Sequence, residues 1–493
     1  MLWALLGQAV FFIFQFGSTI IISRLLSPRE VGIFAIALAT TGVVTAIQSL
    51  GLGNYIIKAK NPTRSDLSTV FSVNFLICLA LAIFIAMLAY VGGAMFADPG
   101  VRRVLLWLAW TPLIGSLSLV PIAMLQRDGN FRAVSLLKIV STAVGTVATV
   151  SLAFVGFSFM SLAYGQVIAA AFNSLIVLII APHYARHRLG LANWRAVAMF
   201  GAQMLSINGV TQVQRQMQSV ALGKLLGLSS LGLFSRAGNL YNIVYDNIYA
   251  VIARVLLVDL VNIHRTGEPL RDRYRIILEC LTVLLWPAFA GLAVLAGPFV
   301  ELVYGHKWVG AALPLSILCI NGILWVAIAL TWELFVVANQ VGIQARIEFI
   351  RATIGLTFFI AGACFSLAGA ATGLVLEGVL AILLYRAHIL RITQCEPGDF
   401  WPIFLRSGLL TLLGVGPTAI TMAWLGWPLD PPLLLIAIAI ATGFALWVLA
   451  IAVSGHPFGK EVKTLLRKRI VRSVAAGKPS PSTYPAIAPD VPL

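Results

Sequence analysis

The sequence predicts an all-α polytopic membrane protein with about fourteen transmembrane helices. Three observations predict it. Apolar stretches near twenty residues recur fourteen times, each followed by a short connector with basic residues, Gly or Pro. Of 493 residues 60% are hydrophobic and 11% charged, with a mean hydropathy of +0.95, far from soluble composition. The Lys and Arg residues also alternate by side. A bilayer core about 30 Å thick takes about 20 helical residues to cross, and a chain in lipid must satisfy its backbone within each segment.

The expected spans are 3–22, 31–50, 68–92, 104–125, 139–157, 160–181, 199–222, 229–253, 276–297, 309–336, 352–367, 370–385, 407–425 and 431–453. Connectors after even-numbered spans, with the C-terminal tail, hold 26 of the 34 basic residues, and those after odd-numbered spans hold six. The other two, Arg215 and Arg236, lie inside spans 7 and 8. The positive-inside rule then places both termini in the cytoplasm. It also explains the +16 net charge without nucleic acid, because the basic residues flank apolar segments rather than forming a basic domain.

Span 1 has no basic lead-in and runs to helix length, which predicts an uncleaved helix rather than a signal peptide. Trp194, Trp308, Trp401, Trp424 and Trp427 fall at span ends, where interfacial aromatics belong. The five cysteines form no C-x-x-C pair and read as small buried hydrophobes. No metal site or cofactor is expected. The segment Gly455–Glu461 misses a phosphate-binding loop by one residue, Gly51-Leu-Gly53 lacks a strand–helix context, and no connector is long enough for a soluble catalytic domain. The chain therefore reads as a transporter, not an enzyme.

An internal repeat organises the spans. Residues 23–37 align without gaps on 223–237, matching Arg24 with Lys224, Leu25 with Leu225, Gly32 with Gly232 and Phe34 with Phe234 at an offset of 200. Further on the offset is 213, with Gly129/Gly342, Lys138/Arg351, Gly156/Gly369 and Gly165/Gly378. Six spans is an even number, so both copies enter the membrane in the same sense, and the pseudo-two-fold axis runs along the membrane normal. The expected organisation is a six-helix lobe over 1–181, a second over 199–390, accessory helices over 403–453, and a tail over 456–493. That tail starts as a basic amphipathic segment suited to the anionic leaflet and ends Pro-rich and disordered.

Span 7 is unusually polar. Asn208, Thr211, Gln212, Arg215, Gln218 and Ser219 recur at i+3/i+4, and Gln8, Gln15, Ser18 and Thr19 of span 1 answer them in the repeat. A duplicated polar stripe suits a water-facing cavity; interhelical hydrogen bonds are the alternative. Span 8 adds Arg236, Asn239, Asn242 and Asp246. Arg215 and Arg236 each lie about 10 Å inside the outer boundary, where an Arg must face protein or water. The pair suits an anionic substrate, with ion pairing to Asp246, Glu333 or Glu377 as the structural alternative. Candidate substrate contacts are thus Arg215, Arg236, Gln15, Asn208, Gln212, Gln218, Asn239 and Asp246.

Several motifs carry a family resemblance. They are Ile22-Ser-Arg-Leu-Leu-Ser-Pro-Arg-Glu-Val-Gly32, Gly51-Leu-Gly-Asn-Tyr-Ile-Ile-Lys58, Leu125-Gln-Arg-Asp-Gly-Asn-Phe-Arg132, Leu231-Gly-Leu-Phe-Ser-Arg-Ala237 and Tyr304-Gly-His-Lys-Trp308. In their order and spacing, over roughly residues 9–390, the chain resembles the Wzx-type polysaccharide transport branch of the multidrug/oligosaccharidyl-lipid/polysaccharide exporter superfamily. The resemblance implies two six-helix lobes plus two accessory helices. It also implies an alternating-access flippase for undecaprenyl-pyrophosphate-linked oligosaccharide, with membrane lipids and a polysaccharide polymerase or export machinery as partners. Gln218 stands where relatives often carry an acid, and Val258 where a proline is common, so no ion-coupling scheme is carried over.

Three other readings compete. A cation-coupled drug or metabolite antiporter of the same fold favours an acidic, aromatic-rich cavity. A lipid II flippase shares the layout. A membrane-embedded polymerase or transferase needs a large outer loop, which this chain lacks.

Overall fold

The computed structural model describes residues 14–459, apart from 15, 49–51, 59–61, 97, 185–189, 193, 246–248, 250–259, 261–262 and 264–268. Every regular element among them is helical. The first half holds α1 (Phe16–Leu25), α2 (Pro28–Gln48), α3 (Leu52–Lys58), α4 (Arg64–Met95), α5 (Pro99–Leu108), α6 (Trp110–Arg127), α7 (Phe131–Phe154) and α8 (Met160–Ile180). The second holds α9 (Trp194–Leu225), α10 (Gly227–Val244), α11 (Arg271–Val294), α12 (Ala296–Tyr304), α13 (Ala312–Ala327), α14 (Thr331–Val337), α15 (Val341–Ala363) and α16 (Leu367–Thr393). Then come α17 (Pro397–Trp424) and α18 (Leu433–Val453). Nine helical segments of the described residues are long and apolar enough to cross a membrane; the fourteen-span count rests on the sequence.

Local chemistry sets the helix starts. Thr63 and Asp66 form a reciprocal capping box at α4, Asp98 caps α5 ahead of Pro99, and Ser366 caps α16. Each satisfies amide N–H groups that a first turn leaves free. Expected span 4 lies within one membrane-length segment, Pro99–Arg127, interrupted only at Ala109 between α5 and α6. Pro112 has no N–H to give Leu108, and the Thr111 hydroxyl donates to that carbonyl instead at 2.6 Å. A side chain thus repairs a broken ladder in a low-dielectric surround.

α7 packs closely on α8, and α15 on α16, the two hairpins that the 213-residue sequence offset aligns. Their contacts run through small residues. A Cβ on Gly362 would fall 2.1 Å from the carbonyl oxygen of Gly369, and one on Gly369 would fall 2.4 Å from that of Gly362, so these backbones touch as small-residue membrane interfaces allow. Across the halves, α2 packs on both α9 and α10. The accessory pair attaches through α17 to α11, where the Thr282 and Ser407 hydroxyls hydrogen-bond at 2.7 Å and Asp399 accepts from Arg271 Nε and Nη2 at 2.8 and 2.9 Å.

Two sequence expectations are corrected. The span expected at 352–367 is the helix Val341–Ala363, so Arg346 and Arg351 belong to a helix and not to a connector. Trp308 is not an interfacial anchor: it is fully buried and donates its Nε1–H to the Ser23 carbonyl at 2.7 Å.

Candidate functional site

A cluster of buried polar and charged side chains lies where α9, α13–α14, α15 and α16 meet. Arg351 is 4% exposed and its Nη1 donates to Glu377 Oε1. Its Nε donates to Glu348 Oε2 at 3.0 Å, and its Nη2 reaches Gln214 Oε1 at 3.3 Å. Gln214 Nε2 in turn donates to Glu377 Oε1 at 2.9 Å, and the Tyr385 hydroxyl donates to Glu348 Oε2 at 2.7 Å. The Trp325 ring lies 5.3 Å from the guanidinium carbon. One cation thus serves two carboxylates from two helices, and Gln214 ties them to α9. Such a cluster survives burial only because nearly every lone pair and N–H is matched.

Beside it the chain breaks a membrane-length helix. α13 ends at Ala327, Leu330 takes a left-handed φ of 63°, and α14 starts at Thr331. No Gly relieves that conformation, so neighbours must hold it. The Tyr249 hydroxyl accepts from the Leu330 N–H at 2.9 Å, and the Tyr274 hydroxyl donates to the Ala329 carbonyl at 3.2 Å. Discontinuous helices of this kind place backbone and polar groups at a binding site.

The break opens onto a cavity of about 350 Å³, whose lining includes Thr211, Tyr245, Tyr249, Trp325, Trp332, Glu333, Gln344 and Glu348. Tyr241, Tyr245 and Tyr249 stack at i+4 intervals, with centroids 6.1 and 4.8 Å apart. The cavity lies in the half of the bundle that holds the α14–α15 turn.

The expected site residues separate into groups. Arg215 is exposed, and its setting can be read from the helix. Gln214, about 100° to one side, binds α15 and α16 through Arg351 and Glu377. Gln216, about 100° to the other, abuts Gly42 of α2. The exposed Val213 and Met217 lie about 160° away, on the other side of the helix. Arg215 therefore shares a helix face with the cavity-lining Thr211, one turn beyond it. Gln212 and Gln218, on the same helix, are half-buried.

Arg236 is placed differently. It is 6% exposed and its guanidinium sits 5.8 Å from the Tyr304 ring centroid and 5.6 Å from that of Trp308. It belongs to a cation–aromatic packing cluster, apart from Arg215 and the cavity. Asn239 is exposed on α10. Gln15 and Asp246 lie outside the described residues, as does the side chain of Asn208. Of the suggested acidic partners, Glu377 pairs with Arg351 rather than with Arg215 or Arg236. The sequence reading missed Gln214, Gln344, Glu348 and the tyrosine ladder. The i+4 spacing of Tyr241, Tyr245 and Tyr249 was the available signal.

The opposite end of the bundle is shut between the halves. A Cβ on Gly32 would lie 1.8 Å from the Leu228 carbonyl oxygen, and one on Gly232 would lie 1.9 Å from that of Pro28. Lys224 Nζ donates to the Met95 carbonyl at 2.9 Å, and its repeat equivalent Arg24 donates to the Leu302 carbonyl. Lys307 Nζ adds a bond to the Arg24 carbonyl at 2.8 Å.

A helical membrane bundle with reciprocal packing between its halves, a broken helix and an internal polar cavity has the architecture of a transporter. Solved structures share it. A lipid II flippase MurJ in an inward closed conformation superposes with a TM-score of 0.72 at 14% identity, covering 91% of this chain and 98% of that one. An inward-facing multidrug resistance MATE family transporter gives 0.61 at 13% identity over 79% of this chain and 98% of that one. The family profile described as polysaccharide biosynthesis protein matches residues 21–313, and the chain belongs to that family. Its relatives include an uncharacterized membrane protein in the cps region of Klebsiella pneumoniae, 22% identical over 96% of this chain and 98% of that protein. The lipopolysaccharide biosynthesis protein WzxC of Escherichia coli is 23% identical over 62% of each chain. The succinoglycan biosynthesis transport protein ExoT of Rhizobium meliloti is 27% identical over 65% of each. The matched region thus spans somewhat under two thirds of these last two.

Proposed function

We propose that this protein is a flippase that moves undecaprenyl-pyrophosphate-linked oligosaccharide from the inner to the outer leaflet for polysaccharide biosynthesis. The observation that carries the reading is a polar-lined cavity whose Thr211 stands one helical turn from Arg215, at the end of the bundle opposite the close packing of Gly32 and Gly232. A hydrated sugar pyrophosphate meets a prohibitive desolvation barrier in hydrocarbon. A gap lined by Arg215, Gln212 and Gln218 lowers it with charge-assisted and neutral hydrogen bonds. The lipid tail stays in the bilayer.

With the basic connectors in the cytoplasm, both termini are cytoplasmic and the cavity lies in the inner half of the inner membrane. The two six-helix lobes, 1–181 and 199–390, then rock about the site, with 403–453 as an accessory pair. The substrate's chemistry is unchanged by passage, so no catalytic residue is needed. Polymerase or export proteins are partners on the outer side.

One feature favours a second reading. The acidic, aromatic-rich cavity suits a cation-coupled drug antiporter of the same fold, whereas membership of the polysaccharide biosynthesis family supports the flippase. Deleting the gene and measuring surface polysaccharide tests both. The flippase reading expects polymer to be lost and lipid-linked repeat units to accumulate on the inner leaflet. Unchanged polymer, with a lost tolerance of organic cations, would replace it with the antiporter.

A further inference from the structure

The cavity beside the broken helix has a chemical bias of its own. Its flat walls are aromatic, from Tyr245, Tyr249, Trp325 and Trp332. An aromatic face carries the negative side of a quadrupole, which attracts the positively polarised C–H face of a pyranose ring. Its volume of about 350 Å³ lies within the roughly 300–1,000 Å³ of small-molecule sites. Its polar lining includes one acceptor left open to a ligand. Gln344 Oε1 is buried with no hydrogen-bond partner and lines the cavity, as do the carboxylates of Glu333 and Glu348. The nearest guanidinium, Arg351, is already committed to Glu348 and Glu377. A ligand with hydroxyl donors satisfies the Gln344 acceptor, and a carboxylate on it meets Glu333 and a cluster in which one guanidinium is shared by Glu348 and Glu377, with no further cation among the described lining residues.

Building on the flippase reading, we infer that this cavity is a saccharide subsite selecting uncharged, hydroxyl-rich sugar rings and rejecting uronic acids. The pyrophosphate stays outside it, toward Arg215. Acceptors on Gln344 and Glu333 read sugar hydroxyls, and Trp332 and Trp325 stack on the ring. A buried acceptor that a ligand hydroxyl satisfies discriminates strongly against ligands that leave it unpaired.

The test uses the full chain in lipid nanodiscs and saturation-transfer NMR. The probes are methyl glycosides of glucose, galactose, mannose and N-acetylglucosamine, set against those of glucuronic and galacturonic acid. At least one neutral glycoside should bind about tenfold more tightly than either acid. Gln344→Ala and Trp332→Leu should each weaken that binding about five- to tenfold, the loss of one hydrogen bond or one ring contact. Trp332 is half exposed, so its replacement leaves the fold intact. Glu333→Gln should narrow the gap between neutral and acidic sugars. Binding of the acids as tight as that of the neutral sugars overturns the inference. So does absence of neutral binding, indifference to all three variants, or displacement of the sugars by tetraphenylphosphonium at lower concentration. Each of these leaves the flippase reading standing, because that depends on polymer loss in the deletion strain.

Discussion

Gly32 and Gly232 pack reciprocally: each presses its missing side chain against the carbonyl of the residue four positions before the other, Leu228 and Pro28 respectively. Both glycines and both carbonyls stand 200 residues apart in the chain. Residue i meeting j while the equivalent of i meets the equivalent of j is the signature of a two-fold relation. Here it joins α2 to α10.

A side chain at either glycine should open that end. A Cβ below 2 Å from a backbone oxygen leaves no rotamer to escape into, and overpacking of this kind costs about 1–3 kcal/mol. Gly32→Ala and Gly232→Ala should lower export to a similar degree. They should also expose a cysteine placed at Ser23, which is buried at this end, to a membrane-impermeant thiol reagent added from outside. Unchanged labelling in both variants would show that the closed end does not depend on this contact.

These glycines were legible in the sequence because matched Gly positions in an apolar chain stand out. The charge cluster was not. Arg351 lies near Gln344, Arg346 and Glu348, a polar run that lowers local hydropathy and moved the expected span downstream. Its main partner, Glu377, is 26 residues away on another helix, a relation no local period displays. The break at Ile328–Leu330 was equally hidden, since neither Gly nor Pro marks it and the compensating Tyr249 and Tyr274 come from elsewhere. Periodicity put Arg215 on the polar face of its helix, and the structure leaves it exposed. Arg236 showed the same mid-span position, but its aromatic partners lie on α12 and the turn after it, which helix depth alone cannot reveal.

Removing one member of the buried cluster should hurt more than removing the pair. Arg351→Leu leaves Glu348 and Glu377 without their cation, so it should destabilise by about 3–5 kcal/mol and exceed Glu377→Gln. The double variant Arg351→Met/Glu377→Met should recover part of the loss. Denaturant titration in detergent, run as a double-mutant cycle, checks this. Additive losses would mean the two side chains are energetically independent.

His456 should make the α17–α18 attachment acid-sensitive. It lies beyond the end of α18 and is buried. Burial, aided by the nearby Arg406, pushes its pKa down to about 4. Nδ1 accepts from the Phe458 N–H at 3.1 Å, so the ring proton sits on Nε2, 3.4 Å from Glu279 Oε1. A folded-state pKa below the unfolded value of about 6.5 means the unfolded form takes the proton first. The contribution is therefore intact above pH 6.5 and lost progressively toward pH 4. Hydrogen exchange over 451–459 should accelerate across that window, and His456→Gln should flatten the response. A profile unchanged by the substitution would assign the sensitivity to another group.

The two intramembrane arginines should fail in different ways. Arg215 is exposed on the helix face of the cavity-lining Thr211. Arg215→Gln should therefore leave melting unchanged and cut polysaccharide export at least tenfold, with lipid-linked repeat units retained on the inner leaflet. Lys should restore only part of the activity, because an ammonium lacks the planar fork that grips two phosphate oxygens at once. Arg236 is held against Tyr304 and Trp308, so Arg236→Gln should lower stability by about 2 kcal/mol, the scale of a desolvated cation–aromatic contact. Its export should recover when expression is raised to match folded protein, whereas that of Arg215→Gln should not. Wild-type export by a fully expressed Arg215→Gln variant would remove the anion from this gap and leave the headgroup's path to be found elsewhere.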